Sequence, residues 1–126
     1  MKSYTSLEQI KKLTEILPFK SADMVLLHEE PYETSDSKFD GLHQALCVPY
    51  NQYDKSWRQK YRNISYFPCW SLAALLEVIY YPILIQEYDG KWSCIEFQEG
   101  EEVGGHETPI DACVAMILKL HERKLL

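Results

Sequence analysis

The first part of the chain has apolar residues at the spacing of a surface helix. An amphipathic helix is predicted over residues 6–17, where Ser6 and Gln9 form a capping box and Pro18 ends the helix. The predicted buried stripe consists of Leu7, Ile10, Leu13 and Leu17.

Residues 68–97 show a helical pattern followed by two short apolar runs. A helix is predicted over residues 71–80, capped by Ser71, and its apolar stripe consists of Leu72, Leu75, Leu76 and Ile79. The turn signal Asp89-Gly90 then predicts a β-hairpin. We expect Trp70 and the leucines of this helix to be buried against that hairpin.

A two-residue turn at Asp89-Gly90 fixes which hairpin residues face each other. It predicts three cross-strand pairs: Glu87 with Trp92, Ile85 with Cys94, and Leu84 with Ile95. Both faces of the hairpin would then be partly apolar, so we predict that it lies inside its sheet and not at an edge.

The remaining elements complete an α+β pattern. Strands are predicted at 22–28 and 44–50, with Pro49 favouring an edge position, and a short helix at 55–62. Residues 31–41 and the acidic, glycine-containing residues 98–107 are predicted as loops. Thr108, Pro109 and Asp111 begin a last helix, whose predicted buried face consists of Ile110, Cys113, Val114, Ile117 and Leu120. The prediction is one α+β domain spanning residues 1–126, with a mainly antiparallel sheet and three to four helices packed on it.

The net charge of −6 is unevenly distributed along the chain. Residues 54–66 carry four basic groups and one acidic group, whereas residues 67–126 carry four basic and ten acidic groups. The overall charge argues against general affinity for nucleic acid or anionic membranes. No apolar run is long enough to cross a bilayer, because Glu77 and Pro82 interrupt the longest one, and the first residues lack a secretory signal.

The basic stretch over residues 55–62 nevertheless combines cations with aromatic rings, as surfaces that bind single-stranded nucleic acid do. Its candidate contact residues are Lys55, Trp57, Arg58, Lys60, Tyr61 and Arg62. The alternative, which we favour, is that Trp57 and Tyr61 pack on the sheet while the cations are solvated or pair with acidic groups.

Four widely spaced cysteines form no paired metal-binding motif, so neither a metal nor a cofactor is predicted. We interpret them as reduced thiols of a cytoplasmic protein. Cys69 precedes a helix N-terminus, and packing beside Trp70 is the favoured interpretation; the alternative is a nucleophilic thiol that a histidine from elsewhere in the fold activates. The acidic residues at 99–107 are interpreted as solvated, with weak binding of a hard cation as the alternative.

Three stretches, at residues 6–24, 68–77 and 108–118, together resemble a group of small uncharacterised proteins from gut anaerobes, often encoded near phage or mobile-element genes. The segment Pro68-Cys-Trp-Ser-Leu is the most distinctive. The resemblance implies no activity, and it implies that alanine commonly stands at the position of Cys69.

These observations favour a small non-enzymatic accessory or interaction protein of a phage or mobile element. A protein partner or a homodimer is expected from the abundance of tyrosine and tryptophan. The alternatives are a nucleic-acid-associated factor that uses residues 55–62 and, less favoured, an enzyme that depends on Cys69.

Overall fold

Three α-helices and six strands make up the part of the chain that the structure, a computed structural model, describes: residues 2–29, 45–49 and 64–126. A short 3-10 helix, Phe19–Ser21, follows the first helix. The elements in order are α1 (Leu7–Leu13), β1 (Met24–Glu29), β2 (Ala45–Pro49), β3 (Ile64–Cys69), α2 (Leu72–Val78), β4 (Pro82–Gln86), β5 (Trp92–Glu96), β6 (Glu101–His106) and α3 (Pro109–Glu122).

The described strands form two antiparallel sheets of three strands each. The first sheet has the order β2-β1-β3 and the second has the order β4-β5-β6. The predicted α+β class and antiparallel pairing are confirmed, but the strands are divided between two sheets. Among the described strands β2, which ends at Pro49, and β4 are edge strands, so the prediction that both hairpin strands lie inside the sheet is wrong for β4.

Helix starts follow the local capping chemistry. Ser6 and Gln9 form the predicted capping box of α1, Ser71 caps α2, and Thr108 caps α3 with Pro109 in its first turn. Helices α1 and α2 end earlier than predicted, at Leu13 and Val78. The predicted loop at 31–41 and the predicted helix at 55–62 lie outside the described residues.

Two segments differ from the prediction. Residues 64–69 form strand β3, which pairs with β1 and was not predicted. Residues 101–106, predicted as a loop, form β6 and pair with β5. The glycines that suggested a loop form an irregularity within the strand, where Gly105 has a φ of +78°.

The register of the β4–β5 hairpin differs by one residue from the prediction. The turn contains three residues, because the amide of Gly90 donates to the carbonyl of Glu87 and the amide of Glu87 donates to the carbonyl of Lys91. Gly90 takes a φ of +84°, as the last residue of such a turn requires. Trp92 therefore lies opposite Gln86, and every side chain of β4 changes its neighbour across the ladder.

The core forms around α3, which packs on β5, β6 and α2. Its predicted buried face is confirmed, and Trp70 and Leu75 are fully buried, while Leu72 and Leu76 are half-buried. Helix α2 packs mainly on α3 and not on the hairpin, against which it was predicted to pack. The buried side chains of α3 are Ile110, Ala112, Cys113, Val114, Met116, Ile117 and Leu120.

The N-terminal segment is held beside Trp70 by hydrogen bonds. Residues 68–71, here called the junction, connect β3 to α2. The amide of Thr5 donates to the carbonyl of Trp70 at 3.0 Å, and the Thr5 hydroxyl accepts from the Trp70 amide at 3.2 Å. The indole Nε1 donates to Ser21 Oγ at 2.9 Å. Two segments distant in sequence therefore close over the indole.

Candidate binding surface

Exposed apolar side chains are concentrated around the β4–β5 hairpin. Nine large apolar side chains are exposed among the described residues, and six of them lie between residues 80 and 97. Single exposed apolar residues are ordinary on a protein surface, whereas a contiguous group marks an interaction site. The concentration identifies this region as the candidate site.

Four of these six side chains, together with the half-buried Ile95, form a group on one side of the second sheet. We call it the outer face, and it consists of Tyr81, Ile83, Ile85, Ile95 and Phe97. Ile83 is 40% exposed, Phe97 is 70% exposed, and Ile83 lies directly opposite Ile95. Beyond that pair, the amide of Phe97 donates to the carbonyl of Tyr81 at 3.2 Å, so these two residues end the ladder. The outer face is therefore continuous across both strands.

The opposite side of the same sheet is part of the core. Leu84, Trp92 and Val103 pack against the buried cluster, and Cys94 is fully buried in it. Side chains alternate between the two sides of a strand, so the buried side explains Leu84 but not Ile83 or Ile85. Burial under α3 accounts for only half of the apolar residues of this sheet.

The residues next to Ile85 on the outer face have small side chains or none. Ser93, which pairs with Ile85, is buried, and its hydroxyl donates to Glu87 Oε1 at 3.1 Å. A Cβ at Gly104 would lie 2.9 Å from Ser93 Oγ, so this position requires glycine unless the hydroxyl moves. The face therefore has an isoleucine-rich ridge next to a shallow region of small residues.

The backbone of Tyr81 adds a second unusual feature. Its φ of +50° places it in the left-handed region, where glycine or asparagine fits with less strain than tyrosine does. Tyr81 is 67% exposed, and its ring meets the ring of Tyr80 edge-to-face, with centroids 4.9 Å apart. Strained residues of this kind concentrate at functional sites.

The acidic residues predicted as a loop are partly paired with cations of the same chain. Glu101 accepts Lys119 Nζ at 3.2 Å and Arg123 Nε at 3.1 Å, and Glu107 pairs with Lys91. The hydrogen bond to Glu107 raises the pKa of Lys91. Within residues 2–29, 45–49 and 64–126, no three His, Cys, Asp or Glu side chains converge on a metal-sized site.

The cysteines of the described residues are core residues. Cys69 is fully buried, with its sulfur 3.5 Å from Thr5 Oγ1 and 3.8 Å from the Thr5 carbonyl oxygen. Cys94 and Cys113 are also fully buried, and their thiols hydrogen-bond each other, which together with burial raises the pKa of Cys113. A substrate has no access to these sulfurs in the folded chain.

An open depression of about 390 Å³ runs along residues 2–6, but its polar groups serve the fold. Lys2 Nζ binds Asp111 Oδ1 at 2.8 Å, Thr5 binds Trp70, and Ser6 caps α1. These contacts attach the N-terminal segment to α3 and to the junction. We therefore interpret the depression as a product of packing.

The basic aromatic stretch cannot be compared with the outer face. Its candidate residues, Lys55, Trp57, Arg58, Lys60, Tyr61 and Arg62, all lie outside the described residues. Nucleic-acid contact by this stretch stays a prediction.

The outer face was not among the sequence-derived candidates, because the predicted register placed Ile83 and Ile85 beside Trp92 and Cys94. A signal was present in the sequence. Tyr88-Asp89-Gly90 also fits a three-residue hairpin loop with glycine last, and that choice moves both isoleucines away from the core side chains.

Comparison with known proteins gives no relative from which to transfer a function: no protein-family model, curated protein or solved structure matches the chain. Among the described residues, no helix combines the length and the apolar character needed to span a bilayer.

Proposed function

We propose that this protein is a small non-enzymatic interaction protein and that the outer face of its second sheet binds another protein. The observation that carries the proposal is the group of exposed apolar side chains on one side of a sheet whose other side is already packed. Apolar surface of this kind costs free energy in water and gains it on binding, at roughly 25 cal/mol per Å² of area removed from solvent.

The charges around the outer face define the chemistry of the partner. Glu87 follows Ile85, and Glu102 lies opposite Ile95, so carboxylates border the face on two sides. Glu99, in the adjoining turn, is exposed as well. Complementary charge raises association rates and selects among partners. We therefore propose a partner segment with apolar side chains in the middle and lysine or arginine on its flanks.

The non-enzymatic part of the proposal is supported by the burial of Cys69, which was the candidate nucleophile. A cytoplasmic location is also part of the proposal, and the free thiols of Cys69, Cys94 and Cys113 fit a reducing compartment. An origin in a phage or mobile element stays an expectation drawn from the resemblance.

Site-specific photo-crosslinking tests the proposal. We would replace Phe97 with p-benzoylphenylalanine in the full chain and irradiate it in extract of the source organism. Phe19, an exposed phenylalanine on the 3-10 helix, provides the matched control position. We expect an adduct from position 97 that is absent from position 19. The crosslinked protein would then be identified, purified and titrated against this chain.

The titration decides whether the outer face is responsible. We expect Ile83→Lys to weaken binding of the purified partner by at least about tenfold, because a lysine would place a hydrated charge in the centre of an apolar contact. Glu8→Lys, on the exposed side of α1, is the control for a lysine introduced elsewhere on the surface and should leave the affinity unchanged. Equal crosslinking from positions 19 and 97, or equal affinity of both variants, would contradict the proposal.

A further inference from the structure

Strand β4 is an edge strand of the described part of the second sheet. The hydrogen bonds at its two ends determine which of its backbone groups face β5 and which face away from it. The amide of Phe97 donates to the carbonyl of Tyr81, and the amide of Glu87 donates to the carbonyl of Lys91. In an antiparallel ladder, hydrogen-bonded pairs alternate with pairs that are not hydrogen-bonded. The odd-numbered residues of β4 therefore bond to β5, and the even-numbered residues direct their backbone groups away from it.

Three residues present their backbone along this edge. Leu84 and Gln86 each offer an N–H and a carbonyl oxygen, whereas Pro82 offers only a carbonyl oxygen because proline has no N–H. The edge is a row of two donors and three acceptors. Such a row is a template for another strand.

The usual protection of an edge strand is nearly absent from β4. Natural edges carry lysines, bulges, prolines or inward-pointing charges that prevent pairing. Residues 82–86 contain no charged side chain, their pairing with β5 is regular, and Pro82 stands only at the first position. Within the described part of the chain, the edge is thus open to a strand of suitable sequence.

We propose that two copies of this chain pair through their β4 strands, antiparallel, with Leu84 of one copy opposite Leu84 of the other. In this register the two Leu84 residues exchange two hydrogen bonds, and each Gln86 amide donates to the Pro82 carbonyl of the other copy. The missing amide of Pro82 falls at the ends of the ladder, where water satisfies the remaining Gln86 carbonyl. The two sheets become one six-stranded sheet.

The side chains are compatible with the same register. Ile83 of each copy lies opposite Ile85 of the other, so the two outer faces join into one apolar surface. Glu87 lies opposite Tyr81 and not opposite another carboxylate, so the acidic character of this half of the chain does not oppose the contact. Self-complementarity in one register is what selects a second copy over an unrelated strand as the occupant.

The contact is short, because each strand contributes five residues. An interface of this size lies below the area of stable dimers, so the dimer should dissociate at concentrations on the order of 10 to 100 µM. This inference depends on the edge of the sheet, whereas the proposed function depends on its outer face. Either can fail without the other.

Hydrogen exchange of individual amides at two protein concentrations tests the pairing. The amides of Leu84 and Gln86 should exchange about four- to sixfold more slowly at about 1 mM than at about 20 µM, because the monomer fraction falls by that factor over this range. The amides of Ile83 and Ile85 bond to β5 in both states, so their exchange should not depend on concentration. These neighbours in the same strand are the internal control.

Sedimentation of two variants provides the second measurement. Ile85→Lys puts a cation on the edge strand and should leave the chain monomeric at about 1 mM, whereas Phe97→Ser alters the outer face away from the edge and should keep the dimer. Three results would overturn the inference. They are rapid exchange of Leu84 and Gln86 at both concentrations, protection that is independent of concentration, and a dimer that persists in Ile85→Lys.

Discussion

The junction and the outer face lie within one stretch of thirty residues, yet their aromatic side chains have opposite environments. Trp70 is fully buried, and its indole N–H and backbone amide each have a hydrogen-bond acceptor. Phe97 is mostly exposed, at the end of a ladder with a strained tyrosine. Packing of the core explains why a tryptophan stands at position 70, but it does not explain why a phenylalanine stands at position 97.

The polar contacts differ in the same way. At the junction, Asp23 accepts a hydrogen bond from the Ser71 amide at 2.9 Å and another from the Ser71 hydroxyl, which itself caps α2. Around the outer face, carboxylates such as Glu102 border exposed isoleucines. The contrast teaches that apolar composition alone does not separate a core from a binding surface. The side of the strand on which an apolar residue lies determines whether it belongs to the core or to the surface.

Removing the buried indole of Trp70 should cause the largest loss of stability among the variants that compare the junction with the outer face. We expect Trp70→Ala to lower the free energy of unfolding by about 3 to 5 kcal/mol, because it leaves a cavity and removes the hydrogen bond that the indole donates to Ser21. Urea denaturation measures this loss. Tyr88→Ala, at a fully exposed aromatic residue of the hairpin turn, is the control and should change stability by less than about 0.5 kcal/mol. A similar loss of stability in both variants would contradict the distinction between the buried junction and the exposed hairpin.

A smaller effect is expected from the cap that connects β1 to α2. Asp23→Ala should lower the free energy of unfolding by about 1 to 2 kcal/mol, because the Ser71 amide and hydroxyl lose their acceptor. A double-mutant cycle with Ser71→Ala should show a coupling of at least about 0.5 kcal/mol. Additive losses would mean that the two residues act separately.

The attachment of the N-terminal segment to α3 should depend weakly on pH. Partial burial disfavours the charge of Asp111, but hydrogen bonds from Lys2 and Gln9 outweigh it, so the pKa of this carboxyl lies below its usual value of 3.8. The unfolded chain binds this proton more tightly, so the stabilisation is present above pH 3.8 and is lost as the pH falls through the lower folded value.

Comparing two proteins isolates this contribution. Between about pH 5 and about pH 2, the unmodified protein should lose roughly 0.5 kcal/mol more stability than Asp111→Asn, a small difference because the pair is partly exposed. Glu122→Gln, at an exposed carboxyl of the same helix, should behave like the unmodified protein. Parallel curves for the unmodified protein and Asp111→Asn would show that the ion pair contributes nothing.

The parts of the fold that sequence predicted correctly are those set by local chemistry. Thr108 and Pro109 begin α3, and Ser6 with Gln9 begins α1, because a capping side chain meets a backbone amide only a few residues away. The buried stripe of α3 follows from helical spacing in the same way. The α+β class is a consequence of these local signals.

The parts that sequence missed depend on contacts between distant residues or on one ambiguous turn. Strand β3 is a short apolar run whose partner, β1, lies about forty residues earlier. In β6, Gly105 allows an irregularity within a paired strand, which composition alone does not separate from a loop. At the hairpin, one additional turn residue moved the isoleucines of β4 from the predicted core side to the outer face.

The most direct test of the central claim, that the chain folds without its outer face, is the free energy of unfolding of Tyr81→Asn/Phe97→Ser, measured by urea denaturation. Asparagine tolerates the left-handed backbone at position 81, and both replaced residues are about two-thirds exposed. We predict a change of less than about 1 kcal/mol. A loss of about 3 kcal/mol or more, comparable to that of Trp70→Ala, would show that these rings belong to the core and would contradict the account.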